Sequence, residues 1–189
     1  MDSVNQPKVL VLLSGGIDST ACVNYYYKKK FNVSALFIDY GQVAVKPESK
    51  AAVRICKHYN IKLEKVVISG GNKWGEGFII GRNAFLLFAA LMKFKYESGL
   101  ISIGVHSGTT YWDCSKDFIA LIQKCFKSYS NNCISIDAPF LEWSKRDIWD
   151  YCIKEKVPLD FTYSCELGLE QPCGKCLSCK DLEKLHESC

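Results

Sequence analysis

The sequence predicts an α/β fold, a doubly wound and mostly parallel five-stranded sheet. Apolar runs of strand length alternate with helix-like segments up to about residue 160. Most of these runs are apolar at consecutive positions, as strands covered on both faces must be. The links between them are short, and repeating β-α units with short links build a parallel sheet with right-handed crossovers. The chain of 189 residues is 48% hydrophobic, 23% charged and 13% aromatic. That is enough to bury one core and too little for two ordinary domains.

The elements follow in order. Residues 8–13 (KVLVLL) read as a buried strand that stops abruptly at Ser14-Gly15-Gly16, and Asp18 to about Lys30 reads as a helix. Residues 33–39 (VSALFID) form the second strand. Pro47-Glu48 marks the first turn of a helix to about His58, since an early proline costs a helix nothing. Residues 61–68 (IKLEKVVI) begin with alternation, which suits a strand nearer the sheet edge. Ser69 to Ile80 is glycine-rich and irregular. A helix over 83–97, a buried strand over 100–105, a helix from Lys116 to Lys127 and a short strand over 133–137 complete the alternation. Ser144 to Asp147 has the spacing of a capping box and opens a helix to about Lys154. Residues 161–189 then form a separate cysteine-rich knuckle and a short helix, packed on the 1–160 unit as one structural domain.

Composition narrows the function classes. No run approaches eighteen apolar residues, which excludes a spanning helix, and MDSVNQPK lacks the pattern of a secretory leader. The expected location is the cytoplasm. The net charge of +4 comes from 24 basic and 20 acidic residues that are interspersed, so no nucleic-acid face is expected. Lys28-Lys29-Lys30 falls at the end of the first helix, where cations suit the helix dipole.

In doubly wound sheets ligands collect at the carboxyl ends of the strands, so the loops after the strands hold the candidate site. Ser14-Gly15-Gly16-Ile17-Asp18-Ser19-Thr20 follows a buried strand and opens a helix. Its two glycines let the backbone approach an anion with successive N–H groups, and the helix N-terminus adds positive partial charge. Ser14, Ser19 and Thr20 supply hydroxyls, and Asp18 would fix the loop or approach a phosphate-bound Mg²⁺. The stretch has no lysine, so it is not a Walker loop, and it lacks the third glycine of a Rossmann fingerprint. It resembles the SGGxDS loop of the ATP pyrophosphatase (PP-loop) superfamily, which adenylates a substrate oxygen and releases pyrophosphate.

Eleven cysteines fall into two groups. Cys22, Cys56, Cys114, Cys125, Cys133, Cys152 and Cys189 are scattered and read as small core residues. Cys165, Cys173, Cys176 and Cys179 lie in one compact segment with Gly168, Pro172 and Gly174 among them. Four closely spaced thiolates suit a structural, tetrahedral zinc, with an iron–sulfur cluster as the other occupant that four cysteines can hold. With every ligand supplied by protein, no position is left for a reactive water.

The two motifs together resemble the QueC family of 7-cyano-7-deazaguanine synthases. The resemblance runs through LLSGGIDSTACV (12–23), ALFIDYGQ (35–42), GRNAFLL (81–87), IGV (103–105), Trp112-Asp113-Cys114, DAPF (137–140) and TYSCELGLEQPCGKCLSC (162–179). It implies an adenine nucleotide alpha hydrolase-like fold. It implies ATP with Mg²⁺, a structural Zn²⁺, and a ligase that turns 7-carboxy-7-deazaguanine and ammonia into the amide and then the nitrile. A homodimer is also implied. By this resemblance Leu13, Ser14, Gly15, Gly16, Ile17, Asp18, Ser19 and Thr20 bind ATP, with Ser14, Asp18 and Ser19 closest to the chemistry. Phe37 frames the adenine through main-chain groups. Tyr40, Gln42, Arg82, Asn83 and Asp113 bind the acceptor substrate, with Arg82 as a carboxylate or phosphate clamp and Asp113 facing a guanine-like edge. The other reading of Arg82 is a salt bridge at a helix start, and that of Asp113 a cap for the next helix. Cys165, Cys173, Cys176 and Cys179 match the zinc ligands.

Departures sit at the acceptor end. Where the family pattern continues with an arginine and a histidine this chain has Val43-Ala44, and the segments before Gly81 and before Trp112 are shortened. Three other functions fit the residues. The enzyme stops at the amide or joins the deazaguanine carboxylate to an amine of another molecule, such as a protein in a phage-defence setting. It is an RNA-thiolating PP-loop enzyme. Or it is a zinc-knuckle binding module with a vestigial phosphate loop.

Overall fold

A computed structural model describes residues 6–69, 74, 77–106 and 108–187. Five strands form one parallel sheet in the order β3-β2-β1-β4-β5. They are β1 (Lys8–Leu12), β2 (Asn32–Asp39), β3 (Lys62–Val67), β4 (Gly99–Ser102) and β5 (Ile134–Asp137). The helices are α1 (Ile17–Lys28), α2 (Val45–Tyr59), α3 (Arg82–Lys93), α4 (Lys116–Tyr129), α5 (Lys145–Lys154) and α6 (Leu177–Glu187).

The continuous apolar runs explain the two layers of helices. Along β1, Val9 and Val11 point to one face and Leu10 and Leu12 to the other, because side chains alternate across a strand. The first face is covered by α1, α2, α5 and the end of α6, through Ala21, Ala52, Ile55, Ile148 and Leu185. The second is covered by α3 and α4, through Leu87, Ala90, Phe118, Ile122 and Phe126. β3 lies at the sheet edge as its alternation predicts, and its side chains are exposed or half-buried.

Several boundaries differ from the sequence reading, and three of them show why. α2 begins at Val45, two residues before Pro47; the proline is accommodated because the first-turn N–H groups of a helix have no carbonyl partner. α3 ends at Lys93, since Phe94 turns extended (φ −67°, ψ 117°) to bring Gly99 beside Lys8 at the start of β4. β4 ends at Ser102, opposite Val11, one residue before β1 itself ends at Leu12 and runs on into the Ser14 loop. The capping box is present: Asp147 N donates to Ser144 Oγ (3.1 Å) and Ser144 N to Asp147 Oδ2 (2.8 Å). Of the scattered cysteines, Cys22, Cys56 and Cys152 are buried, Cys114 and Cys125 are half-buried and Cys133 is exposed, so the core reading holds for only part of the group. Cys189, and most of the irregular stretch expected from Ser69 to Ile80, lie outside the described residues.

Chain order reverses between β1 and β4, and strands on either side of such a switch point send their connections to opposite faces. The loops after these two strands therefore diverge and leave a crevice at their carboxyl ends. Tyr26 Oη donates to Asp137 Oδ2 at 2.5 Å, tying α1 to the end of β5 beside this crevice.

Candidate active site

The Ser14–Thr20 loop lies at the switch point, between the end of β1 and the first turn of α1. Its shape depends on main chain at close quarters. Gly15 has φ +88°, and a Cβ there would lie 2.7 Å from the Glu48 carbonyl oxygen and 2.9 Å from Ala51 Cβ. Gly104, just past β4, meets the main chain of Asp18 and Ser19, where a Cβ would stand 2.9 Å from Asp18 C and Ser19 N. Two glycines from distant strands thus let the loop sit flush against α2 and β4. The hydroxyls close on the loop itself. Gly16 N donates to Ser14 Oγ (3.3 Å), Ser14 and Ser19 hydroxyls pair at 3.1 Å, and Ser19 and Thr20 donate to the Gly16 carbonyl at 3.1 and 2.7 Å. Leu13 and Ile17 anchor the loop ends in the core.

Asp18 has partners that the sequence reading did not find. Lys145 Nζ, at the start of α5, donates to Asp18 Oδ1 (2.6 Å) and Oδ2 (2.7 Å). His106, from the loop after β4, brings Nε2 to 3.8 Å from Asp18 Oδ2. Its Nδ1 accepts from Gly108 N (3.0 Å). Burial holds the His106 pKa below its ordinary value; the Asp18 carboxylate opposes that shift and the Lys145 charge reinforces it. The sequence signal for Lys145 was a lysine in the first turn of a helix, where the macrodipole disfavours a cation.

A second group of side chains gathers beyond β2. Phe37 is 2% exposed with its ring in the core under α1 and α2, so no ring face is open to a base. Gln42 is buried and folded inward: its Oε1 accepts from Tyr40 N (3.0 Å) and its Nε2 donates to Ile38 O (3.1 Å) and Glu48 Oε2 (2.9 Å). It shapes the turn after β2. Burial raises the pKa of Glu48, opposed by its bond to Gln42 and by the Arg82 charge. Burial likewise raises that of Tyr40, and the Arg82 guanidinium facing the phenol opposes it. Arg82 therefore turns toward Tyr40 and Glu48. Asn83 Nδ2 donates to Asp113 O (3.1 Å), which joins α3 to the turn at Trp112–Cys114. Asp113 is 7% exposed and does not cap α4; Ser115 does so, accepting from Phe118 N. The outer rim is aromatic, with Phe78 stacked on Tyr111 at 4.8 Å and Trp112 exposed.

The four cysteines of the knuckle converge. Their Sγ atoms all lie within 4.8 Å of one another. Tetrahedral zinc with ~2.3 Å bonds needs sulfurs roughly 3.8 Å apart, and Cys173 and Cys179 stand at that distance, 3.8 Å. A four-iron cluster would space the thiolates more widely, because each binds a different iron. The donor set thus fits a single ion. Backbone N–H groups of Cys176 and Lys175 donate to Cys173 Sγ, which lowers that thiol's pKa to about 6 and favours the thiolate a metal binds. The knuckle is built onto the Ser14–Thr20 loop: Tyr163 N donates to Gly15 O (2.9 Å), and Gly168 (φ +68°) approaches Val43 and Ala44 so closely that a Cβ would lie 2.5 Å from Val43 O.

A parallel sheet with a serine–glycine loop at its switch point is the architecture of the PP-loop proteins. The U34-tRNA thiolase NcsA from Methanococcus maripaludis, a structure with a [4Fe-4S] cluster, shares the fold (TM-score 0.57, 18% identity, 97% of this chain and 68% of that one). So does a 4-thiouridine synthetase in complex with RNA and ATP (TM-score 0.55, 15% identity, 96% and 50%). Within that class the family described as queuosine biosynthesis protein QueC matches residues 8–77 and 71–188, and the chain belongs to this family. Among its relatives, the 7-cyano-7-deazaguanine synthase of Prochlorococcus marinus is 30% identical over 94% of this chain and 92% of that protein. The 7-cyano-7-deazaguanine synthase 1 of Desulfitobacterium hafniense is 30% identical over 96% and 94%. The first alignment is 208 residues long against a chain of 189, so the relative carries residues that this chain lacks. The two matched stretches overlap at 71–77.

Proposed function

We propose that the chain is an ATP-dependent carbon–nitrogen ligase acting on 7-carboxy-7-deazaguanine. The observation that carries this reading is the Ser14–Thr20 loop at the switch point, in a chain that matches the QueC family almost throughout. In the first activation a substrate carboxylate oxygen attacks the α-phosphorus, the bond to the bridging oxygen breaks, and pyrophosphate leaves with the electron pair. Ammonia then adds to the acyl carbon, loses a proton and expels AMP, giving the amide. A second ATP adenylates the amide oxygen, and loss of AMP with two protons from nitrogen gives the nitrile, 7-cyano-7-deazaguanine.

The loop amides and the positive end of α1 would hold the pyrophosphate as charge develops on it, an arrangement set before reaction. Mg²⁺ would accompany the ATP and supply further charge at the phosphates. Arg82 would clamp the substrate carboxylate with Tyr40 beside it, and Asp113 would face the base. Cys165, Cys173, Cys176 and Cys179 would hold a structural zinc that closes residues 161–189 onto the 1–160 unit. Metal analysis should find one zinc per chain; iron with a visible absorption band would contradict that assignment.

The test is mass spectrometry of the purified protein with 7-carboxy-7-deazaguanine, ATP, Mg²⁺ and ammonium. The nitrile, with two AMP and two pyrophosphate per product, is the expected result. Absence of both AMP and pyrophosphate would sink the ligase reading. A second reading is favoured by Val43-Ala44 and by the residues missing relative to the relatives. In it the activated carboxylate goes to another amine, including one on a protein, or the reaction stops at the amide. The same experiment separates it, since adenylate or amide then accumulates without nitrile.

A further inference from the structure

We infer that Glu48 takes up the attacking amine: its free carboxylate oxygen binds ammonium and removes the proton that blocks the nitrogen lone pair. This role rests on the ligase reading above and deepens it, because that reaction needs a base and no residue has yet been assigned to supply one. At neutral pH ammonia in water is almost wholly ammonium, which has no electron pair to give to an acyl carbon. Glu48 takes the first proton, nitrogen adds to the carbonyl carbon, the adduct loses a second proton, and AMP leaves with the electron pair of the bond that breaks. The protons pass to water.

Glu48 stands where the two ends of the crevice meet. Its main chain, in the first turn of α2, lies against the Ser14–Thr20 loop, where a Cβ on Gly15 would stand 2.7 Å from the Glu48 carbonyl oxygen. Its side chain reaches Gln42 and feels the charges of Arg82 and Asp39. An acyl adenylate joins nucleotide to acceptor, so its carbonyl carbon belongs at this junction.

The carboxylate is held, and only half of it is used. Gln42 is 8% exposed, and its Oε1 accepts from Tyr40 N at 3.0 Å, which fixes the orientation of the amide. Nε2 then gives one hydrogen to Ile38 O (3.1 Å) and the other to Glu48 Oε2 (2.9 Å). Among the described residues nothing donates to Glu48 Oε1, and Arg82 acts on the carboxylate through space without an ion pair. The neighbouring acids are committed elsewhere. Lys145 donates to both oxygens of Asp18, Gly41 N to Asp39 Oδ1 (3.1 Å), and Tyr26 Oη to Asp137. Burial raises the Glu48 pKa; Gln42 and Arg82 oppose the shift and Asp39 adds to it, with Tyr40 and Tyr163 the other titratable groups that face it. A base raised toward the working pH takes a proton more readily than an exposed carboxylate does.

The test separates proton removal from the adenylation before it. Hydroxylamine is uncharged at neutral pH and attacks an acyl adenylate without first giving up a proton. Glu48→Gln keeps the size of the side chain and can still accept from Gln42 Nε2. With 7-carboxy-7-deazaguanine, ATP and Mg²⁺, the variant should form amide from ammonium at least about a hundredfold more slowly, while hydroxamate formation stays within about threefold. Equal loss of both products would make Glu48 a brace for the site, and no loss would make it a bystander; either overturns the inference.

The native chain supplies a second readout. When ammonium and hydroxylamine compete in one vessel, the ratio of amide and nitrile to hydroxamate cancels the adenylation step. With ammonium drawn from Glu48, that ratio should rise by less than about threefold from pH 7 to pH 8; a steeper rise, toward the roughly tenfold of free ammonia, overturns the inference even if Glu48→Gln fails to fold. A native chain that releases no pyrophosphate ends the ligase reading itself. One that forms hydroxamate but no amide leaves that reading standing and overturns the role of Glu48.

Discussion

The end of the crevice proposed for the nucleotide and the end proposed for the acceptor are built on different principles. The nucleotide end is a matter of main chain: Gly15 and Gly104 seat the loop against α2 and β4, and its hydroxyls bond back to Gly16. Few side chains there are free to vary. The acceptor end is a matter of side chains, with Tyr40, Glu48, Arg82 and Asp113 gathered under an aromatic rim of Phe78, Tyr111 and Trp112. A rigid end suits a step common to a superfamily, and a side-chain end suits a substrate that changes between its members. The sequence reading places this chain's departures from the family pattern at the second end, at Val43-Ala44 and in the segments before Gly81 and Trp112.

The knuckle touches both ends, so its loss should erase the contrast. Cys176→Ser removes one buried ligand of the four, and structural zinc in small motifs is worth on the order of 10 kcal/mol to folding. Part of that brace is transmitted through the Tyr163–Gly15 hydrogen bond and part through the Gly168 contact with Val43 and Ala44. The variant should lose its metal, melt at a lower temperature and lose affinity for both ATP and acceptor. Metal analysis, thermal unfolding and nucleotide titration read the three. Full ATP affinity in a metal-free variant would show that the knuckle does not support the loop.

Gly15→Ala should strike one end alone. Its left-handed backbone costs a residue with a Cβ about 1–2 kcal/mol, and the added carbon meets the Glu48 carbonyl at 2.7 Å, which cannot move without shifting α2. A displacement of this kind at a reacting centre lowers turnover by roughly a hundredfold. Metal content should stay at the native level. Unchanged turnover would mean that the loop has slack its packing does not show.

Arg82→Met probes the other end. Losing a charge-assisted clamp should raise the KM for the carboxylate substrate by about tenfold to a hundredfold, while the Kd for ATP stays within about twofold. With Arg82 gone, the charge that opposes the upward pKa shifts of Tyr40 and Glu48 goes too, so both groups titrate higher still. Steady-state kinetics with the acceptor varied, beside ATP titration, separates the ends. An ATP Kd that rises in step with the acceptor KM would merge them into one site.

Legibility in the sequence follows the same division. The loop and the cysteine cluster are contiguous, so spacing alone announced them, and KVLVLL followed by Ser14-Gly15-Gly16 placed the loop at a strand end. The sheet was equally legible, because strands buried on both faces leave unbroken apolar runs; the ends of α3 and β4 moved most, where the chain met neighbours rather than its own pattern. What stayed hidden is made by tertiary contact. Lys145 and Asp18 stand 127 residues apart, and Gly104 matters only because Asp18 lies against it. Gln42 looked like a residue that faces substrate, yet its amide is used up on Ile38, Tyr40 and Glu48.

The smallest expected effect lies beside Asp18, at His106. Burial depresses its pKa below the ordinary 6.5, against the pull of Asp18. A base with a depressed folded-state pKa binds fewer protons than the unfolded chain near that value, so its contribution to stability is intact above about pH 6.5. That contribution is lost as pH falls, because the native state must then either protonate the ring or unfold. Protonation would also turn Nδ1 from acceptor to donor and break its bond from Gly108 N. Thermal unfolding of the native chain should therefore drop faster between pH 6.5 and pH 5.5 than that of His106→Asn, which carries no proton to gain. The gap between the two curves should close above pH 7, and parallel curves throughout would place the ring in a more open setting than its burial beside Asp18 and Lys145 implies.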